Sequence, residues 1–230
     1  MIADSVGKIR ERIDLACRRA GRDPSEVRLL AVSKTFPAES VREVVSSGIC
    51  DIGENYVQEL RVKREQLADD RIRWHFIGHL QTNKVKYVAD WVHLIHAVDS
   101  ARLAAEIDKH AARAGRKIDL LVEVNSTGEE SKYGVPPGET EALVKELARF
   151  DNIRVCGLMT MSLFDPDPEV SRPVYRGLRQ IRDNLAGLRQ ENLKLKHLSM
   201  GMTGDFEVAI EEGATIVRIG TALFGKRQRR

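Results

Sequence analysis

The sequence predicts an α/β fold, a single (β/α)8 TIM barrel with an extra helix at its amino end, and three observations carry that reading. Eight short apolar runs alternate with helical stretches along 230 residues, the pattern expected when right-handed βαβ crossovers repeat until the sheet closes on itself. No composition break or linker interrupts the chain, so residues 1–230 read as one domain. No glycine fingerprint follows the first run, which weakens the open doubly wound sheet as an alternative.

The extra helix spans residues 3 to 20, with Val6, Ile9, Ile13, Leu15 and Ala16 on roughly one face and Gly21 as its stop. Its expected place is over one end of the core. The first strand is the apolar run Val27 to Thr35, long enough to be buried on both faces and closed by Pro37. A helix from Glu39 to Ser47 leads to a second strand, Ile49 to Gly53, which delivers Glu54, Asn55 and Tyr56 to its carboxyl end. The helix Val57 to Leu67 follows, then a third strand, Arg73 to Gly78, and a short helix reaching Val88. Val92 to Val98 is the fourth strand, after which Asp99 or Ser100 caps a helix through Ala114. Ile118 to Asn125 is the fifth, with a longer loop carrying Lys132 before the helix Glu139 to Phe150. Ile153 to Met159, Leu195 to Met200 and Thr215 to Ile219 complete the eight, separated by helices at 171–190 and 205–212.

Composition bounds the function. Hydrophobic residues make up 42% of the chain, ample for a large core, and the net charge of +3 comes from Lys226, Arg227, Arg229 and Arg230 at the extreme end. A frayed basic tail of residues 226–230 without interleaved aromatics does not read as a nucleic-acid or membrane anchor. Cys17, Cys50 and Cys156 are scattered without paired spacing, which fits a reducing compartment and offers no metal-ligand spacing. The first residues resemble neither a signal nor a transit peptide, and no apolar stretch approaches spanning length. The expectation is a soluble, cytoplasmic protein.

In a closed barrel ligands bind at the carboxyl ends of the strands. That rim would collect Lys34, Asn55, His79, Met159, Ser199, Gly201, Gly220 and Thr221. A lysine there can hold an anion or form a Schiff base with a carbonyl. The stretches Ser199 to Asp205 and Gly220 to Gly225 combine hydroxyls, glycines and helix starts where barrels keep phosphate, after strands seven and eight. Alternation puts Arg218 on the same side as Gly220, and a guanidinium in a lumen needs an acceptor, either a carboxylate or a ligand ring nitrogen. A lysine, a phosphate cup and an arginine between them suit a phosphorylated aldehyde such as pyridoxal 5'-phosphate (PLP). His75, His93, His96 and His197 fall within strands and receive no chemical role; Lys132 reads as a solvated loop lysine.

Several long segments occurring in order resemble the single-domain PLP-binding proteins of the YggS/PROSC type, the PLP homeostasis proteins. They are Ala31 to Lys34, Gly53 to Glu59, Trp74 to Lys84, Ser131 to Gly134, Gly157 to Met161, Leu198 to Met202 and Val217 to Gly225. The resemblance implies a barrel like the amino-terminal domain of alanine racemase, with Lys34 holding PLP as an internal aldimine. It further implies phosphate on Ser199, Gly201, Gly220 and Thr221, Arg218 facing the pyridine nitrogen, Asn55 and Met159 lining the cofactor and His79 on the rim. An arginine at that nitrogen would weaken the ring as an electron sink.

Three functions compete. A non-catalytic carrier would buffer PLP or deliver it to apoenzymes by transient contact, affecting vitamin B6 and amino-acid balance. A PLP-dependent racemase needs an acid or base on each face of the α-carbon, and Tyr56, Tyr87, Tyr133 and Tyr175 all lie within the barrel's own units. A Schiff-base aldolase on a phosphorylated sugar would use Lys34 and the same cup without PLP. The carrier is the expectation, as a monomer, since no coiled-coil seam is evident.

Overall fold

The computed structural model describes residues 2–129, 132–163 and 165–225. Its strands are β1 (Arg28–Val32), β2 (Asp51–Glu54), β3 (Arg73–Phe76), β4 (Leu94–Val98), β5 (Ile118–Glu123), β6 (Ile153–Met159), β7 (Leu193–Ser199) and β8 (Ile216–Ile219). They form a closed parallel barrel in chain order, with β8 returning to pair with β1. The helices are α1 (Ile2–Arg19), α2 (Ala38–Ser46), α3 (Val57–Leu67), α4 (Ala101–Arg113), α5 (Thr140–Leu147), α6 (Arg172–Leu185), α7 (Phe206–Glu211) and α8 (Thr221–Phe224). The predicted (β/α)8 barrel is therefore observed, with one substitution of type: between β3 and β4 the connection is a 3₁₀ helix, Thr82–Tyr87.

Two apolar layers follow from strand alternation. Outward residues such as Ala31, Ile52, Val217 and Ile219 pack beneath the helices. Inward residues Leu30, Leu94, Ala97, Leu121, Cys156, Met159 and Ile216 fill the lumen. Arg218 lies between Val217 and Ile219, so its side chain enters the lumen with Leu30 beside it in register. Among the described residues no helix is long and apolar enough to cross a membrane. The basic tail, 226–230, and Ser131 lie outside the described residues.

The extra helix differs from expectation in two respects. Its buried stripe is Val6, Ile9, Ile13, Ala16 and Cys17, whereas Leu15 is 46% exposed. At 100° per residue Leu15 falls on the opposite side from Ile13, so helical geometry excludes it from that stripe. The helix also packs on α2, α7 and α8 within the outer layer, rather than over one end of the core. Arg12 secures it with two hydrogen bonds to Glu207, at 2.8 and 2.9 Å. Of the two candidate caps for α4, Ser100 is the one that serves, its hydroxyl accepting the Leu103 N–H.

Candidate functional site at the carboxyl ends of the strands

The β1 strand stops two residues before Lys34 because the chain turns there. The Phe36 N–H bonds back to the Ser33 carbonyl at 3.0 Å, and Thr35 adopts φ +69°. That conformation is costly for a β-branched residue, and a buried polar knot holds it. The Ser33 hydroxyl donates to Glu54 Oε1 at 2.5 Å; Lys63 Nζ donates to Glu54 Oε1 at 2.5 Å and to the Ser33 carbonyl at 2.7 Å; the Thr35 N–H donates to Glu59 Oε2 at 2.8 Å. Lys34 itself is half-buried on this turn, presented at the rim by a fixed backbone.

The knot leaves one acceptor over. Glu54 is fully buried and its Oε2 has no hydrogen-bond partner among the described residues. Burial pushes its carboxyl above the usual range, against the pull of Lys63 and Ser33. Asn55 Oδ1, next in the chain, is buried and equally unpartnered. Its backbone is gripped from the side, since a Cβ at Gly78 would collide with the Asn55 carbonyl. Glu54 shares the outward face of β2 with Ile52, beneath Lys63 of α3, so its spare oxygen belongs to the packing of that helix, whereas Asn55, next in the chain, faces the other side.

On β8, the strand that pairs with β1, the lumenal Arg218 is 4% exposed. Its NH1 donates to the Ser199 carbonyl at 2.7 Å and Ser199 Oγ at 2.9 Å; its NH2 donates to the Thr160 carbonyl at 2.9 Å and Met161 Sδ at 3.2 Å. No carboxylate forms an ion pair with it among the described residues, so the charge is spread over carbonyl, hydroxyl and thioether acceptors. Four terminal N–H groups are thereby engaged, and the fifth, Nε–H, has no partner among the described residues. Burial lowers the guanidinium's affinity for its proton, and Tyr175, Glu123 and Asp205 restore part of it. Glu123, at the end of β5, is pushed up to about 7 by burial and by the neighbouring Asp99, with Arg218 opposing.

The residues expected to form a phosphate cup divide. Gly201 and Gly220 sit at the ends of β7 and β8, and Thr221 is exposed at the start of α8. Gly201 has φ +91°, and a Cβ there would strike Ala209 and Phe206, so close packing on α7 already demands glycine. The Ser199 hydroxyl points away from this turn, to Arg218 and to His96 Nδ1 at 2.9 Å. Thr203, not among the residues expected here, ties the two turns together, its hydroxyl accepting the Ala222 N–H at 3.4 Å. The spacing Thr203-Gly204-Asp205 before α7 was the available signal. Asp205 fixes the loop by accepting from the Met202 N–H at 2.7 Å and from the hydroxyls of Ser162 and Tyr175 at 2.6 and 2.7 Å.

Met159 is buried in the lumen as expected for a lining residue. His79 is exposed and stacks on Tyr133, ring centroids 3.9 Å apart, bridging the loops after β3 and β5. Lys132 pairs with Glu129 at 2.8 Å and reaches the Ser162 carbonyl at 3.3 Å. At the amino end of the barrel Asp51, His75 and His93 offer ligand atoms within 4.8 Å of one another. The Asp51 carboxylate already accepts two bonds from Arg73 and one from His75, with Arg28 3.8 Å away. Two guanidinium groups are poor neighbours for a further cation.

The family description "Alanine racemase, N-terminal domain" matches residues 5–228. The barrel and its rim thus define the class: an alanine-racemase-type barrel. An alanine racemase from Clostridium difficile is similar in fold, with a TM-score of 0.71 and 16% identity over 96% of this chain and 60% of that one. Much nearer is a protein of Aquifex aeolicus named pyridoxal phosphate homeostasis protein, 50% identical over 225 residues and 98% of each chain. The human protein of that name is 39% identical over 95% of this chain and 84% of its own. PipY of Synechococcus elongatus, solved with PLP bound, is similar with a TM-score of 0.84 and 32% identity over 98% of this chain and 100% of that one. The chain belongs to the pyridoxal phosphate homeostasis protein family.

Proposed function

We infer that this chain binds PLP at the carboxyl rim of its barrel and acts in PLP homeostasis, as one PLP-binding domain. The observation that carries the reading is the pairing, from adjacent strands β1 and β8, of the Lys34 turn with the lumenal Arg218, whose Nε–H has no partner among the described residues. Bound PLP would supply a reactive aldehyde for a lysine amine and an acceptor nitrogen for a guanidinium. Lys34 would take the aldehyde as a Schiff base; Arg218 would donate Nε–H to the pyridine nitrogen; Asn55, whose Oδ1 has no partner among the described residues, and Met159 would face the ring. Gly201, Gly220 and Thr221, with Thr203 beside them, would hold the phosphate, Ser199 bracing Arg218 beneath and His79 standing on the rim.

A donor-only guanidinium at the pyridine nitrogen keeps that nitrogen unprotonated and favours holding the cofactor over carbanion chemistry. The tyrosines support the same choice. Tyr175 is buried with its hydroxyl bonded to Asp205, while Tyr56 and Tyr133 are more than half exposed. A monomeric, cytoplasmic carrier that passes PLP to apoenzymes without turnover of its own is the function proposed.

Absorption spectra of the PLP-loaded protein before and after borohydride, with mass mapping, test this. A visible band abolished by borohydride, leaving a pyridoxyl group on Lys34 and absent in Lys34→Ala, is the expected result. Modification elsewhere would overturn the lysine assignment, and failure to take up PLP would move a phosphosugar aldolase to first place.

A further inference from the structure

A chain of hydrogen bonds runs along the barrel axis from one end to the other. Asp51, at the amino end, accepts from His75 Nε2 at 2.9 Å; His75 Nδ1 lies 2.9 Å from His96 Nε2; His96 Nδ1 lies 2.9 Å from Ser199 Oγ; Ser199 Oγ accepts from Arg218 NH1 at 2.9 Å. All five residues are buried, His75, His96 and Ser199 completely.

The two ends dictate the direction of every bond between them. Asp51 as a carboxylate only accepts, so His75 carries its proton on Nε2 and presents a bare Nδ1. His96 must then donate from Nε2, which leaves its own Nδ1 bare. Arg218 only donates, so Ser199 Oγ accepts from it and has its one proton to give to His96. Each contact is satisfied once, with both rings neutral and in the same tautomer. A proton added to either ring would set two donors face to face. Burial opposes that addition, holding His75 down at about 4 and His96 well below the usual histidine range.

We propose that Asp51, His75 and His96 are positioning residues of the cofactor site: acting through Ser199, they orient Arg218 so that its Nε–H faces the ligand ring. The proposal rests on the PLP reading for the identity of the ligand, and on the geometry alone for the direction of the chain. It also sets Ser199 apart from the phosphate, since its hydroxyl proton is committed to His96.

The test has one arm without cofactor and one with it. Nitrogen-15 NMR of the histidine rings in the unloaded protein at neutral pH is expected to show His75 and His96 both protonated on Nε2 alone. An Nδ1 proton on either ring overturns the chain. In the loaded protein, His96→Leu removes the acceptor for Ser199, and should shift the band of bound PLP and weaken its binding roughly tenfold, the effect of one lost buried hydrogen bond. His96→Asn, which restores an acceptor at the Nδ1 position, should return the band toward that of the parent protein. A folded His96→Leu protein with unchanged band and affinity overturns the proposal, as does an His96→Asn protein no different from His96→Leu. Should His96→Leu fail to fold, Ser199→Ala cuts the same chain while keeping both rings, and an unaltered band there is equally decisive. If the parent protein takes up no PLP, the ligand reading falls while the NMR arm still decides the chain.

Discussion

Asp51 and Glu54 stand three residues apart on β2, both buried, and the barrel treats them in opposite ways. Around Asp51 burial works against ionisation, yet the bonds from Arg73 and His75 and the nearby Arg28 hold its carboxyl well below the usual range. Around Glu54 burial prevails: Lys63 and Ser33 serve one oxygen, the other has no partner among the described residues, and the carboxyl is pushed up. The amino end of the barrel is thus electrostatically complete. At the carboxyl end one oxygen of Glu54 is left without a partner among the described residues, at a cost of about 1–3 kcal/mol.

The sharpest way to break the contrast is to strip Glu54 of its cation. Lys63→Met should leave a buried carboxylate unpaired and destabilise the fold by about 3–5 kcal/mol, read from urea unfolding. Glu54→Gln combined with it should recover much of the loss. Equal stability of Lys63→Met and the parent would mean that the knot at Lys34 is not held as described.

The two ends should also answer pH with opposite signs. Glu123, at the carboxyl end, has its folded value raised from 4.5 to about 7, so its contribution to stability is present below pH 4.5 and lost as pH rises toward 7. Glu123→Gln should therefore stabilise the protein at pH 8 by on the order of 2–3 kcal/mol, with little effect at pH 4. Asp51, at the amino end, has a lowered value, so its contribution is present above the unfolded aspartate range and lost as pH falls through the folded value. Asp51→Asn should cost about 2 kcal/mol at neutral pH and flatten the acid limb. Thermal unfolding of both variants across pH 3–8 checks the pair, and slopes of the same sign would dissolve the contrast.

The smallest effect belongs to the rim itself. Tyr133→Ala removes an exposed stack on His79 and should change stability by only about 0.5–1 kcal/mol. A larger loss in chemical unfolding would show that the loops after β3 and β5 are part of the stabilising core.

Much of this was legible in the chain. The β6 bounds, Ile153–Met159, and the α3 bounds, Val57–Leu67, are the ones periodicity predicts, because apolar alternation and helical spacing are local signals. Strand ends were less so: β1 stops at Val32 rather than Thr35, and the cause is Lys63 and Glu59, 24 to 30 residues away. Leu15 was misplaced by counting apolar residues without following their angle. Histidines in strands offered no sign of partnership, and so His75 and His96 went unassigned.

The sequence by itself determined the alternation of eight strands with helices, the inward direction of Arg218 and the position of Lys34 just beyond a buried strand. Those follow from backbone geometry and from which neighbours in the chain are apolar. Only the tertiary structure decided which polar groups meet. The bonds of the axial chain join residues 24, 21, 103 and 19 positions apart, and closure of the barrel is what brings them within 3 Å. A side chain's type states what it can donate or accept; the partner that fixes its proton, and hence its role, comes from across the lumen.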